Sequence, residues 1–126
     1  MVKALVYGLI ITTLLHSPVE FKPPKPIGEF KITAYTAGYE SCGKLPDHPL
    51  YGITATGTEV KENQTIASDW EVLPPGTRVY IDGFDTVFTV EDRGGAVIGR
   101  HIDIYMEDLD DALKWGVRER EVWLVE

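Results

Sequence analysis

The chain has 126 residues, 44% hydrophobic and 25% charged, which is enough for one domain with one core and too apolar for a disordered chain. A net charge of −8 excludes nucleic acid as a partner and electrostatic docking on anionic lipid. One cysteine, Cys42, excludes an internal disulfide framework.

The charge is concentrated. Residues Asp69 to Asp111 hold eleven acids against three arginines, while the remainder balances at nine acids and nine bases. Any account of function has to explain that window.

At the amino end, Met1-Val2-Lys3 is a short positive start and Ala4 to Leu15 an apolar run of twelve residues. That length suits the apolar region of a signal peptide and is short for a bilayer span, so residues 1–15 are expected to be an export signal or a short membrane anchor. Pro18, Pro23, Pro24 and Pro26 then predict a stiff proline-rich linker over 16–28, which leaves 29–126 as the folded domain.

Phe30, Ile32 and Ala34 alternate with Lys31, Thr33 and Tyr35, the period of a half-buried strand. A loop rich in Gly, Pro and Ser follows from Gly38 to Gly52, and Thr65-Ile66-Ala67 is a short strand. Arg78 to Ile81 and Thr86 to Val90 flank Asp82-Gly83 and predict a hairpin. His101 to Tyr105 and Glu121 to Val125 are the last two strands. Between them lies one helix, capped by Asp108, striped by Leu109, Ala112 and Leu113, and stopped at Gly116. About six short strands and one short helix predict a mainly β fold, a small closed six-stranded barrel.

Three aspartates are attached to strands and can be held rigidly: Asp69 after Ile66-Ala67-Ser68, Asp92 after Val90-Glu91, and Asp103 within Ile102-Asp103-Ile104. If Ile102 and Ile104 face the core, Asp103 faces outward with His101 and Tyr105. Other readings stay open at this point. Asp103 also fits an ordinary exposed strand position, Asp92 before Gly94-Gly95 a turn former, and Asp69 a turn or cap residue.

The neighbourhoods form an ordered series: Ile32-Thr33-Ala34-Tyr35-Thr36, Gly52-Ile53-Thr54-Ala55-Thr56-Gly57, Ile66-Ala67-Ser68-Asp69, Pro75 to Ile81, Glu91-Asp92-Arg93-Gly94-Gly95-Ala96, and Arg100 to Tyr105. This series resembles the bacterial three-aspartate domain, written 3D domain, over nearly everything from Lys31 to Val125. That family is similar to the catalytic core of membrane-bound lytic transglycosylase A and to stationary-phase muralytic proteins. The resemblance implies a double-psi β-barrel crossed by a glycan groove. It also implies peptidoglycan glycan strands as partner and substrate, cleaved between N-acetylmuramic acid and N-acetylglucosamine to leave a 1,6-anhydromuramyl end.

On that pattern Asp69, Asp92 and Asp103 match the three name-giving aspartates, with Asp103 as acid and then base. Thr54, Thr56 and Gly57 match a groove-lining loop, and Gly94 and Gly95 belong to the segment after the second aspartate. The chain departs from the pattern at Trp70, Arg93 and Ile98, where Pro, Thr and Lys are common.

Carboxylates suit this chemistry because the leaving oxygen needs a proton as the sugar becomes oxocarbenium-like. An unperturbed Asp is ionised at neutral pH, whereas neighbouring carboxylates raise the pKa of one member of a cluster. Asp69 and Asp92 are therefore expected to keep Asp103 protonated, with Arg93 either beside Asp92 and opposing the effect or turned outward to bind acetamido or lactyl-peptide groups of the substrate. Tyr35, Trp70 and Tyr105 are candidate sugar-stacking rings, although aromatic residues on small barrels also serve the core. Trp115 and Trp123 are assigned to packing.

No cofactor is expected. Cys42 and His48 share a loop but lack the paired spacing of a zinc site, so no metal is expected either. Glu107, Asp108, Asp110 and Asp111 fit a helix start, since negative charge favours that end. The expected setting is extracytoplasmic, at the cell wall, as a monomer. Two other functions remain open, a non-catalytic expansin-like wall-binding module and an inverting β-glycan hydrolase.

Overall fold

Alternating apolar residues in short segments must find a common interior, and here they do so by closing a ring. The computed structural model describes residues 22–126. The six strands are β1 (Lys25–Tyr35), β2 (Thr65–Ser68), β3 (Arg78–Ile81), β4 (Phe88–Asp92), β5 (His101–Tyr105) and β6 (Arg118–Val125). They form a closed barrel in the order β1-β5-β2-β4-β3-β6. Two neighbouring pairs, β1 with β5 and β2 with β4, run parallel, and the others are antiparallel. The mainly β, six-stranded expectation holds.

Inside the ring, Phe30, Ile32, Ile66, Val79, Ile81, Phe88, Val90, Ile102, Ile104 and Val122 form the core. Leu73 joins them from the loop after β2, and burying each large apolar side chain stabilises by about 1.5–3 kcal/mol. A smaller apolar cluster lies on the opposite face of the same strands: Tyr35, Ala37, Ala67, Val97 and Tyr105. Asp92 and Asp103 lie on this outer face.

β1 begins earlier than expected. Lys25 and Pro26 pair with Leu124 and Trp123, and the register slips between Pro26 and Gly28. Pro26 is tolerated there because a bulge relieves the ladder of the N–H that proline lacks. The part of the 16–28 linker within the described residues is therefore partly strand, and the barrel starts at Lys25 rather than residue 29. The expected signal or anchor at 1–15, and 16–21 of the linker, lie outside the described residues.

Two further differences have local causes. The loop after β1 contains a one-turn helix, α1 (Tyr39–Cys42). The Thr36 backbone N–H donates to Ser41 Oγ at 3.0 Å, the Thr36 hydroxyl donates to the Glu40 carboxylate, and Gly43 ends the turn at φ 67. The β3–β4 hairpin has the expected turn, in which the Phe84 N–H donates to the Ile81 carbonyl at 3.1 Å. Its return strand starts at Phe88 rather than Thr86, because Phe84 turns back edge-on to Phe88 and against Trp115.

The second helix, α2 (Leu109–Trp115), is built as its sequence dictates. Asp108 accepts from the backbone N–H groups of Asp110 at 2.7 Å and Asp111 at 3.2 Å, and the Gly116 N–H closes on Ala112. Trp115 fastens the helix to the barrel, its indole N–H donating to the Ile32 carbonyl at 3.0 Å. That accounts for four of the clustered acids as a helix start and solvated surface.

Candidate active site on the outer face

Strand register brings two of the three aspartates together. Asp103 on β5 stands opposite Ala67 on β2, and Asp92 on β4 stands opposite the same Ala67 from the other side. Their backbones are thus separated by two strand spacings, roughly 10 Å. Thr33 on β1 lies opposite Asp103 on its far side. Outward alternation along β5 carries Asp103 to this face, with His101 and Tyr105, as expected.

Asp92 arrives by a different route. Phe88 and Val90 point into the core, so strict alternation would send Asp92 inward as well. The register slip opposite Ile66 and Ala67 turns the strand, so that Asp92 rather than Glu91 faces Ala67. Its carboxylate then accepts three hydrogen bonds, from the Tyr35 hydroxyl at 2.9 Å and from the N–H groups of Ala55 at 3.0 Å and Arg93 at 2.9 Å. Glu91 is buried behind it, accepting from the Thr65 hydroxyl at 2.7 Å.

Asp103 is half-buried, and its Oδ1 lies 2.8 Å from the Thr33 hydroxyl oxygen, within hydrogen-bond distance. Burial pushes its pKa up to about 6, helped by the charge of Asp92 and opposed by the Thr33 hydrogen bond. The direction is as expected, but the leading cause is desolvation rather than carboxylate crowding, and Asp69 is not among the causes.

Asp69 is used elsewhere. Its Oδ2 accepts from the Gly99 N–H at 2.8 Å and its Oδ1 from the Glu71 N–H at 3.0 Å, which together hold its carboxyl below the usual range. Asp69 thereby ties the end of β2 to the loop that leads into β5.

The aromatic candidates are differently placed from simple stacking platforms. Tyr35 is buried, orients Asp92, and meets Tyr105 edge-on with ring centroids 5.8 Å apart. Burial, then Asp92, pushes the Tyr35 phenol far up, so it stays a hydrogen-bond donor. Trp70 is half-buried, its indole N–H donates to the Asp92 carbonyl at 3.0 Å, and the Arg93 guanidinium covers its ring at 4.5 Å. Arg93 therefore spends its side chain on Trp70. Its backbone N–H, not its charge, contacts the Asp92 carboxylate, and the one ion pair among the described residues is Lys22 with Glu126.

The loop of Thr54, Thr56 and Gly57 docks on β4: the Thr56 hydroxyl donates to the Glu91 carbonyl at 2.8 Å, and the Gly57 N–H closes a turn on Thr54. Thr54 is buried and hydrogen-bonded to the hydroxyls of Thr56 and Thr58. Gly94 and Gly95 are exposed in the β4–β5 loop, where the Val97 N–H donates to the Gly94 carbonyl at 3.0 Å. A pocket of ≈ 490 Å³ opens beside Asp92, lined by Ser41, Cys42, Lys44, Leu50, Ile53, Thr54, Ala55 and Arg93.

Sequence reasoning passed over Thr33 and Ala55 as site residues. The alternation of β1 already placed Thr33 outward between Lys31 and Tyr35. Nothing in the sequence signals that the Ala55 N–H reaches Asp92, which comes from a residue 37 positions away.

Residues 64–126 match the family model described as 3D domain. The cell wall-binding protein YocH of Bacillus subtilis (strain 168) is 38% identical over 89 residues, which make up 68% of this chain and 28% of YocH. The chain thus spans under a third of that relative. Among solved structures, the Escherichia coli lytic transglycosylase MltA with bound chitohexaose superposes with TM-score 0.52 at 22% identity, over 59% of this chain and 27% of MltA. The lytic transglycosylase LtgG of Burkholderia pseudomallei superposes with TM-score 0.50 at 22% identity, over 64% of this chain and 27% of LtgG. At these identities the likeness is one of fold.

Proposed function

The chain belongs to the 3D domain family, and on that premise we propose that it is a peptidoglycan lytic transglycosylase. The observation that carries the reading is Asp103: a half-buried carboxyl on the outer face, raised to about 6, with the charge of Asp92 acting on it across Ala67. A carboxyl tuned in this way holds a proton near neutral pH far more often than a free Asp does.

The steps balance without water. Asp103 gives its proton to the glycosidic oxygen as the bond from that oxygen to the muramyl C1 breaks. The carboxylate of Asp92, fixed by Tyr35, Ala55 and Arg93, stabilises the positive charge that develops on the sugar. Asp103, now ionised, takes the proton of the C6 hydroxyl while that oxygen bonds to C1, which closes the 1,6-anhydro ring and restores the acid. Asp69 holds the loop before β5 rather than entering the reaction. The pocket beside Asp92, with Thr54 in its wall, would accommodate part of the glycan or its substituents. Such a substrate places the protein's work outside the cytoplasmic membrane, at the cell wall.

A second reading is wall binding without cleavage, favoured by the similarity to YocH, a protein described as cell wall-binding. Mass spectrometry of digested sacculi separates the outcomes. Anhydromuramyl ends support the transglycosylase, reducing ends would mean a hydrolase, and retention on sacculi with no soluble product would mean a binding module.

A further inference from the structure

Asp103 does not end its hydrogen bonds at Thr33. The Thr33 Oγ1 that lies 2.8 Å from Asp103 Oδ1 also lies 2.8 Å from Nε2 of His101. His101 Nδ1 in turn lies 3.2 Å from the Ala96 carbonyl oxygen. His101 is 7% exposed and shares the outer face of β5 with half-buried Asp103, so the histidine end of this row is shielded from water. We propose that His101 is a positioning residue for the proton on Asp103, acting through the single hydroxyl proton of Thr33. The proposal rests on the reading of Asp103 as the acid.

The three contacts share a fixed number of protons. A carbonyl oxygen only accepts, so the contact with Ala96 requires a proton on Nδ1 of His101. A neutral ring then presents a lone pair at Nε2, and the Thr33 hydroxyl must donate to it. Thr33 has no second proton for Asp103, so the 2.8 Å contact is a hydrogen bond only if Asp103 carries a proton and donates it to Thr33 Oγ1. The alternative that satisfies all three contacts is an imidazolium that donates to Thr33 while Thr33 donates to an ionised Asp103. Both arrangements hold the same number of protons and differ only by their shift along the row.

Loss of that shared proton leaves one of the three contacts without a hydrogen. The network therefore favours keeping a proton on the pair until substrate takes it. Of the two arrangements, the surroundings favour the neutral ring: burial and the Lys31 ammonium on β1 both disfavour the imidazolium, against the Ala96 carbonyl. Around Asp103 the other titratable groups are Asp92 on β4, Tyr35 on β1 and Cys42 on α1. Asp92 also favours the protonated acid.

The test is an NMR titration of the folded protein, following the Asp103 carboxyl carbon and the His101 ring nitrogens. Nitrogen shifts should give the Nδ1–H tautomer wherever the ring is neutral and Asp103 is protonated. In His101→Leu the Thr33 hydroxyl is free to donate to the carboxylate, so the Asp103 midpoint should fall by roughly one pH unit. Thr33→Val cuts the row while leaving both titrating groups, and adding His101→Leu to it should move Asp103 no further.

An Nε2–H tautomer, an unmoved midpoint in His101→Leu, or an equal shift in the Thr33→Val background would each overturn the proposal. Wall cleavage is measured alongside, and its alkaline limb should move down with the Asp103 midpoint in His101→Leu. If Asp103→Asn still cleaves wall while the titrations behave as stated, the catalytic reading fails and the relay stands. If Asp103 is required and its midpoint ignores His101, the relay fails alone.

Discussion

Asp92 and Asp103 face one another across a single alanine, Ala67, which is opposite both in register and is 3% exposed. A small side chain at this point leaves only one buried methyl group between the two carboxylates. A larger one would press hydrocarbon between them and against the two tyrosines. Ala67→Leu should therefore abolish wall cleavage while destabilising the barrel by about 1–3 kcal/mol through overpacking against Tyr35 and Tyr105. Cleavage assays and urea unfolding at unchanged slope check both parts.

Asp103→Asn should lower the rate of anhydromuramyl release by about 100- to 10,000-fold, the usual contribution of a positioned acid or base. The amide has nearly the shape of the protonated carboxyl and can donate an N–H to Thr33 Oγ1 as that acid does, so binding to sacculi should persist. Full activity in a folded Asp103→Asn protein would end the transglycosylase reading.

The same substitution should change stability with pH in a definite direction. Burial raises Asp103 from its usual 3.8 to about 6, so the folded chain holds this proton more tightly than the unfolded chain. Its contribution to stability is full below the unfolded value and is lost as pH rises through about 6. Asp103→Asn, which never ionises, should then be more stable than the parent at pH 8, by at most about 3 kcal/mol, and indistinguishable from it near pH 3. Thermal unfolding at the two pH values measures this, and an equal offset at both would refute it.

Tyr35→Phe removes the hydroxyl that donates to Asp92 Oδ2 while keeping the ring packed on Tyr105. A hydrogen bond to a charged acceptor is worth about 1.5–3 kcal/mol, so unfolding free energy should fall within that range. On the proposed mechanism, in which Asp92 acts on the developing charge rather than on substrate affinity, cleavage should slow mainly in kcat.

Asp69 is expected to behave differently from the other two aspartates. Asp69→Ala frees the N–H groups of Gly99 and Glu71, and amide hydrogen exchange at those two positions should accelerate. Asp69→Asn, which keeps an acceptor oxygen, should retain much of the protection and most of the cleavage activity. Loss of cleavage in Asp69→Asn with protection intact would place Asp69 in the reaction instead.

Much of this arrangement is legible in the chain. The alternation of β1 and β5 already separates Ile32, Ile102 and Ile104 from Thr33, His101, Asp103 and Tyr105, because successive strand residues face opposite sides. The cap at Asp108 and the stop at Gly116 are local hydrogen-bond chemistry and need no tertiary contact. The hidden parts are those where local rules break. Pro26 lies within a strand because a bulge spares its missing N–H, and Asp92 faces outward because a register slip overrides its parity.

The charge of −8 shows the same division. Sequence alone determined that the acids collect between Asp69 and Asp111, and that Asp103 sits on a strand face turned away from the core. Only the folded barrel decided what each acid does. It placed Asp108 at a helix end, Asp69 on the backbone of Gly99, Asp92 on Tyr35, and Asp103 half out of water beside Thr33 and His101. The reason is that alternation and capping act between residues a few positions apart. Desolvation and carboxylate spacing instead depend on which strands become neighbours when the ring closes.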